Sequence, residues 1–389
     1  MDKLEAIGYP CFWAITGLLN PFAQAESRNR PPSLDWEEVW RFCSFHGVRP
    51  ALSKALDDLG QTVRLPARMR NQLADFKRSH TFSVLRKTGE IVALSKAFEA
   101  AEITIVIFKG AVLGAQVFGG AQYREFNDID LLVPPEERDR ATDVLEALRF
   151  RPIITDRRMR GAFFDYMGQH MFRSLETGSV VDLHWSFVGD VPFPVTGAKV
   201  LRDRTMLELG GTHVPAPCLQ DLALILAGHG QKEGWASFGW ALDFAKFAAT
   251  APGFDWSEAA SRARTQGCLR SLLTATLITQ RLFGEAIDDE MVAMASQRRI
   301  IVEDTERIIV GYAALAQRKF EDDLLGSFRL CETPTQRAKV WIQLFVRPTI
   351  GDYEAMPLTP SLWWAYRLTR PFRLLWRKIR GVQPVRSAL

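Results

Sequence analysis

Cysteine is scarce and isolated in this chain. Cys11, Cys43, Cys218, Cys268 and Cys331 are spread singly through 389 residues, with no CxxC pair. An odd number of separated thiols fits reduced side chains in a cytoplasm and argues against a secreted disulfide scaffold. Only six histidines are present, and none joins a cysteine in a zinc-type spacing. No apolar run reaches the ~18 residues that a membrane-spanning helix needs. The opening segment MDKLEAIGYPCFWAITGLLN has acids at Asp2 and Glu5, no basic n-region and no clean small-residue cleavage site, so no signal peptide is expected. GxSxG, GxxxxGK[ST] and GxGxxG are all missing, which removes the serine hydrolase, P-loop and dinucleotide-binding classes. There is no internal repeat and no low-complexity segment.

What is present is a globular composition, 47% apolar and 24% charged, long enough for two to three folded units. The net charge of +4 is unevenly placed. Ser361–Leu389 holds seven basic residues (Arg367, Arg370, Arg373, Arg377, Lys378, Arg380 and Arg386) and no acid. The preceding residues hold 42 basic against 45 acidic, a net −3. The body is therefore slightly acidic, and sequence-specific DNA binding is not expected.

The hydrophobic period changes along the chain. Residues 1 to about 100 read as helices, with one beginning near Leu34 behind Ser33 as N-cap. Ile103–Phe108 is a β-branched run, a buried-strand signal. Lys109-Gly110 ends it, and Ala111–Phe118 reads as a short helix. Asp128–Val133 is a second strand, followed by a helix opened by Pro134-Pro135-Glu136-Glu137. His170–Leu175 and Val180–Trp185 read as a hairpin. Beyond about residue 200 strand signals mostly stop. Leu219–Ala227, Trp235–Thr250, Trp256–Ala263, Leu269–Leu282, Val302–Phe320 and Thr335–Phe345 all read as helices. The expected fold class is α+β, a small mixed-sheet core embedded in a mostly helical chain. The expected units are a helical region over 1–84, the α/β core over 85–200, a helical domain over 201–350 and a basic tail over 351–389.

The chemistry concentrates in the α/β unit. Asp128 and Asp130 are two apart on one strand, so both leave the same face, about 6.6 Å apart along it. Ile129 faces the core. Asp182, within Val181-Asp182-Leu183-His184, repeats the pattern of an acid inside an apolar strand. Unpaired buried carboxylates are costly, and a bound cation would remove that cost. Three converging carboxylates suit one or two Mg²⁺ ions placed for phosphoryl displacement. Gly110 opens a helix whose backbone N–H groups suit a phosphate, with Lys109 beside it.

Phe108-Lys109-Gly110-Ala111, Arg124-Glu125-Phe126-Asn127-Asp128-Ile129-Asp130-Leu131-Leu132-Val133 and Val181-Asp182-Leu183-His184-Trp185 together resemble an uncharacterised nucleotidyltransferase family. Its motifs are KGxxL, RxxxDIDLLV and xDLHW, and it belongs to the superfamily that includes polymerase β. Leu222–His229 and Trp235…Trp240…Asp243 are similar to the family's helical part, so the resemblance covers about residues 85–250. It implies metal-dependent transfer of an NMP from an NTP to a hydroxyl, with release of pyrophosphate. Asp128 and Asp130 would hold Mg²⁺ or Mn²⁺. Asp182 would complete the catalytic metal site and help deprotonate the acceptor. Lys109 and Gly110 would cradle the β- and γ-phosphates. One departure stands out, since the broader superfamily has Gly-Ser in this turn and here Ala111 follows Gly110. That leaves a non-catalytic nucleotide- or partner-binding protein as the alternative function.

Other residues could complete the nucleotide site. Arg124 reads as a phosphate clamp or as an ion-pair partner of a nearby acid. His184 shares the face of Asp182 and reads as a site residue or a hydrogen-bonded strand histidine. His229 reads as a site residue or a helix C-terminal cap. Lys232 and Asp243 could line the cleft or lie in solvent. The acceptor is left open among a protein, a sugar, a small molecule and an RNA end.

The tail SLWWAYRLTRPFRLLWRKIRG, residues 361–381, carries three tryptophans among six of the basic residues. Trp364, Leu368, Phe372, Leu375 and Ile379 recur at helical spacing on a different stripe from the arginines, with Pro371 starting or kinking a helix. It reads as an amphipathic helix that docks on the acidic body, lies at a membrane surface or binds nucleic acid. The expected location is cytoplasmic, with peripheral membrane attachment through this tail as an option.

Overall fold

The computed structural model describes residues 9–23, 34–60, 65–155, 168–187, 193–285, 287–315 and 331–380. Among the described residues, helices α1 (Pro10–Leu18), α2 (Trp36–His46), α3 (Arg49–Leu59) and α4 (Ala67–Ala100) lead into the sheet. Helix α2 is capped by Asp35, whose side chain accepts from the N–H groups of Glu37 and Glu38. The cap is therefore Asp35; Ser33, the sequence expectation, lies outside the described residues. Helix α4 runs for 34 residues and buries Val84, Lys87, Ile91, Leu94 and Phe98 at steps of three and four.

The central sheet has strand order β1-β2-β5-β4-β3. Its strands are β1 (Val106–Phe108), β2 (Asp128–Leu132), β3 (Phe150–Pro152), β4 (Gln169–Ser174) and β5 (Val180–His184). Strand β2 runs parallel to β5, and the other pairings are antiparallel, so the sheet is mixed as expected. Only Val106–Phe108 of the run from Ile103 pairs with β2. Ile103 and Ile105 are buried without being part of the strand, so the apolar run reported burial over a longer stretch than pairing. Helix α5 (Gly110–Val117) and helix α6 (Arg138–Ala147) flank β2 in sequence.

Alternation divides the sheet into two unlike faces. Ile107, Ile129, Leu131, Val181 and Leu183 pack with Ile91, Leu94, Phe98, Ala141 and Leu145 in one apolar cluster. Val106, Phe108 and Leu132 belong to a second cluster, shared with the N-terminal helices and the helical half of the chain. Asp128 and Asp130 alternate with Ile129 and Leu131, so they lie on this second face.

The helical half is built on α8 (Leu219–Lys232), in which every residue from Leu222 to Ala227 is buried. Such a run fits only a helix surrounded by others. Around it stand α9 (Phe238–Thr250), α10 (Trp256–Thr265) and α11 (Leu269–Phe283), followed by α12 (Asp289–Ser296), α13 (Arg299–Ala313) and α14 (Pro334–Phe345). Among the described elements, β3, α12, the short helix α7 (Gly197–Arg202), the helix Ile350–Ala355 and a hairpin of β6 (Thr205–Leu209) and β7 (Thr212–Ala216) escaped the sequence analysis. The hairpin turns at Gly210-Gly211, with φ of 61° and 77°. Its strand β6 is mostly exposed, which hides the alternation that would reveal it. The chain closes with α15 (Ile350–Ala355) and α16 (Tyr366–Arg380), and α16 continues through Pro371.

His46 ties the N-terminal helices to the helical half. Its Nδ1 accepts from the Phe238 N–H at 3.2 Å, and Nε2 meets the Tyr312 carbonyl at 3.4 Å. With Nδ1 accepting, Nε2 carries the proton and the ring is neutral. Burial lowers this imidazole from 6.5 to about 4. The unfolded chain therefore takes up a proton that the folded chain refuses as pH falls from 6.5 to about 4. Stability should drop over that window by roughly 2–3 kcal/mol from this group. Urea midpoints across the window should show this component in the native chain and lack it in His46→Gln.

Candidate active site

The site forms where the parallel pairing of β2 and β5 sets Asp130 opposite Asp182 and Leu132 opposite His184. Asp130, Asp182 and His184 are all buried, and one potential ligand atom from each lies within 4.8 Å of the others. His184 Nε2 is 3.3 Å from Asp130 Oδ1 and 3.3 Å from Asp182 Oδ2. Lys109 Nζ lies 3.4 Å from Asp130 Oδ1. Gln169, on β4, donates from Nε2 to Asp182 Oδ2 at 2.7 Å. The second oxygen of Asp182, Oδ1, is buried with no hydrogen-bond partner among the described residues. Asp128 sits two residues before Asp130 on the same face, half-buried and outside the group of three converging ligand atoms.

The electrostatics follow from crowding acids away from water. Burial pushes the Asp128 carboxyl up, and the neighbouring Asp130 adds to that. Burial also opposes the charge on Asp130, but the Lys109 ammonium and His184 imidazole outweigh it and hold Asp130 well below the usual carboxylate range. Burial opposes a charged His184, yet the Asp182 and Asp130 carboxylates win and raise it. At His229 the balance goes the other way: burial and the Lys109 charge outweigh the pull of Asp130 and push it well down.

Local backbone geometry places Lys109 there. Its φ is 63°, and Gly110 follows at 48°. The turn packs against β2, where a Cβ on Gly110 would make ordinary contact with the Asp128 carbonyl oxygen and the Phe126 ring at 3.4 and 3.5 Å. The positive φ is what suits glycine at 110. Lys109 adopts a positive φ under strain, a cost of order 1–3 kcal/mol for a side chain held in this region. Ala111 is fully buried in the apolar cluster beneath the sheet, so its side chain belongs to the core.

The helical half closes the site from above the acidic face. His229 and Lys232, in the last turn of α8, line one cavity with Phe108, Lys109, Gln169 and His184. His229 is thus part of the site wall, its ring edge-on to Trp240 at 5.2 Å. Arg124 and Asp243 form a buried two-pronged pair, Nε to Oδ1 at 3.0 Å and Nη2 to Oδ2 at 2.8 Å. Asp243 is therefore buried, not solvated, and it occupies the guanidinium edge that a phosphate would take. Glu125 is paired with Arg49 instead. A separate cavity of about 90 Å³ is lined by His46, Tyr123, Arg124, Trp240 and Asp243, without the clustered carboxylates.

Gln169 and Lys87 were missed by sequence reasoning. Lys87 is buried in α4, donates to the Phe126 carbonyl at 2.8 Å and so braces the segment leading into Asp128. The available signal was its position on the apolar stripe between Val84 and Ile91. Gln169 carried no local signal, since its role arises only once β4 pairs with β5.

A profile of the uncharacterised nucleotidyltransferase family matches residues 32–284, well over half of the chain and the whole of this site. The chain belongs to that family. Its activity class is nucleotidyl transfer, and the mixed sheet within a mostly helical chain is the expected architecture. Among solved structures, the lincomycin-bound crystal structure of the lincosamide antibiotic adenylyltransferase LnuA is similar at 14% identity, over 44% of this chain and 97% of that one, with a TM-score of 0.29. No curated protein matches.

Two substitutions isolate the geometry. Removing one member of the buried Arg124–Asp243 pair leaves an uncompensated charge, so Arg124→Met should cost about 3–5 kcal/mol, read by urea unfolding. Arg124→Met with Asp243→Leu should recover much of that loss. Lys109→Gly should be about 1 kcal/mol more stable than Lys109→Ala in the same assay, because both lack the ammonium and only alanine retains the strain.

Proposed function

We propose that this family member transfers an NMP from an NTP to a hydroxyl acceptor, releasing pyrophosphate, with a divalent cation held by Asp128, Asp130 and Asp182. The observation that carries this reading is the juxtaposition of Asp130 and Asp182 across the β2–β5 pair, with Asp182 Oδ1 buried and, among the described residues, unpartnered. A carboxylate donor set with an unfilled acceptor fits Mg²⁺ or Mn²⁺, both of which favour oxygen ligands. When bound, such a cation supplies positive charge against the α-phosphate and the departing oxygen.

The chain's own residues do the rest. Gln169 holds Asp182 by Oδ2 and orients the carboxylate, which helps draw the proton from the incoming hydroxyl. Lys109, now held against Asp130, turns to the β- and γ-phosphates once that carboxylate is otherwise neutralised. The first-turn N–H groups of α5, exposed by Gly110, add donors to the same phosphates. His184, His229 and Lys232 line the cavity from which the phosphates are met. Arg124 serves the nucleotide at one remove, fixing the loop before Asp128 to Asp243 on α9.

The decisive measurement uses NTPs labelled separately at the α- and γ-phosphate, with Mg²⁺ or Mn²⁺, across candidate protein, sugar, small-molecule and RNA acceptors. Transfer of α-label with pyrophosphate release is expected. Transfer of γ-label alone would make the chain a kinase. Asp128→Ala and Asp130→Asn should each lower turnover by at least about 100-fold with circular dichroism unchanged, and chelation of divalent cations should do the same. Wild-type turnover in either variant would sink the assignment.

A further inference from the structure

The tail helix α16 is docked with its polar side inward. Asp352, buried on α15, accepts from Arg370 Nη1 at 2.7 Å and from Arg373 Nε at 2.6 Å. Arg370 also donates from Nε to the Leu344 carbonyl at 2.8 Å and from Nη1 to the Thr349 hydroxyl at 2.8 Å. Tyr366, buried on the same side, donates its hydroxyl to the Met356 carbonyl at 2.7 Å and accepts from the Leu358 N–H at 2.8 Å. Tyr366, Arg370 and Arg373 follow a step of four and then three, one side of a helix.

That arrangement forces the apolar stripe outward. Leu368, Phe372 and Leu375 fall opposite the anchoring arginines and are 62%, 74% and 58% exposed. Trp364 and Trp376 extend the stripe at 61% and 50% exposed. A helix serving only to close its own protein would turn this stripe inward. Here a buried carboxylate holds the guanidinium groups below and presents the large apolar groups above, a contiguous patch of the kind that marks an interaction surface.

We propose that this face is an interfacial anchor for an anionic lipid surface, with α16 lying in the membrane plane. Charge selects the occupant. Asp352 answers two of the seven basic residues of Ser361–Leu389, and the segment itself holds no acid against the other five, so a second copy would set cation against cation, whereas anionic headgroups complement the excess. Tryptophan beside aliphatic residues suits the headgroup boundary, where an apolar ring face and a polar N–H are both satisfied. The fifteen residues of α16 span about 22 Å at the helical rise, and no described helix is long and apolar enough to cross a bilayer. An in-plane helix needs only one apolar face. This surface is independent of the catalytic reading, and its test involves no turnover.

The test is flotation of the full chain with phosphatidylcholine vesicles containing about one-third phosphatidylglycerol, against pure phosphatidylcholine. Wild type should float with the anionic vesicles, weakly or not at all with the neutral ones, and less at high salt. Leu368→Glu with Phe372→Glu should weaken binding by about tenfold or more, while the unfolding midpoint stays unchanged because both positions are exposed. Absence of flotation by wild type, or equal flotation by the double variant, overturns the proposal. So does a lipid-free dimer seen by light scattering, abolished by the same double variant and unaccompanied by vesicle binding, which would assign the face to a second copy.

Discussion

Everything at the centre of this molecule answers to one constraint, the burial of two carboxylates side by side. Parallel pairing of β2 with β5 sets Asp130 against Asp182. At separations below 4.8 Å the repulsion is roughly 3–4 kcal/mol for an effective dielectric of about 20, before desolvation is counted. The fold offsets this with positive charge and hydrogen bonds. Lys109 is brought in through a left-handed backbone that a lysine adopts only under strain. His184 bridges both acids, and Gln169 satisfies one oxygen of Asp182. The apolar face behind the acids keeps them registered, since a one-residue slip would turn Ile129, Leu131, Val181 and Leu183 out of their core.

The same constraint explains how the two halves of the chain cooperate. The acidic face of the sheet is the one that meets the helical half, so α8 supplies His229 and Lys232 to the site and α9 supplies Asp243. Asp243 engages Arg124, which stands just before Asp128. The buried pair thus couples the placement of the acidic strand β2 to the helical wall. Family membership over residues 32–284 is consistent with this, because the match extends across both halves and not over the sheet alone. The tail repeats the device in a different setting: a buried acid, Asp352, decides which side of an amphipathic helix faces the protein.

Local pattern made much of the site legible. Asp128 and Asp130 two apart, the Lys109-Gly110 break and Asp182 within an apolar strand are short-range signals, and the structure assembles them on one face. The fold class was legible for the same reason, since periods of two and 3.6 residues are local properties. The Thr205–Ala216 hairpin was less so, because its first strand is largely exposed and lacks the expected alternation. Gln169 and Lys87 carried no catalytic pattern of their own; each acquires its role from a partner distant in sequence, Asp182 across a strand pair and Phe126 beneath a helix.

Sequence alone determined the acidic strand, the Lys109-Gly110 turn, the family and the concentration of positive charge in the tail. Each depends on residues within a few positions of one another or on composition. Only the tertiary structure decided that Asp130, Asp182 and His184 converge, that Arg124 is committed to Asp243, that His229 is a wall of the site and that Arg370 and Arg373 turn inward. Those outcomes depend on strand register and on pairs more than a dozen residues apart, where burial makes an uncompensated charge costly and selects the partner that neutralises it.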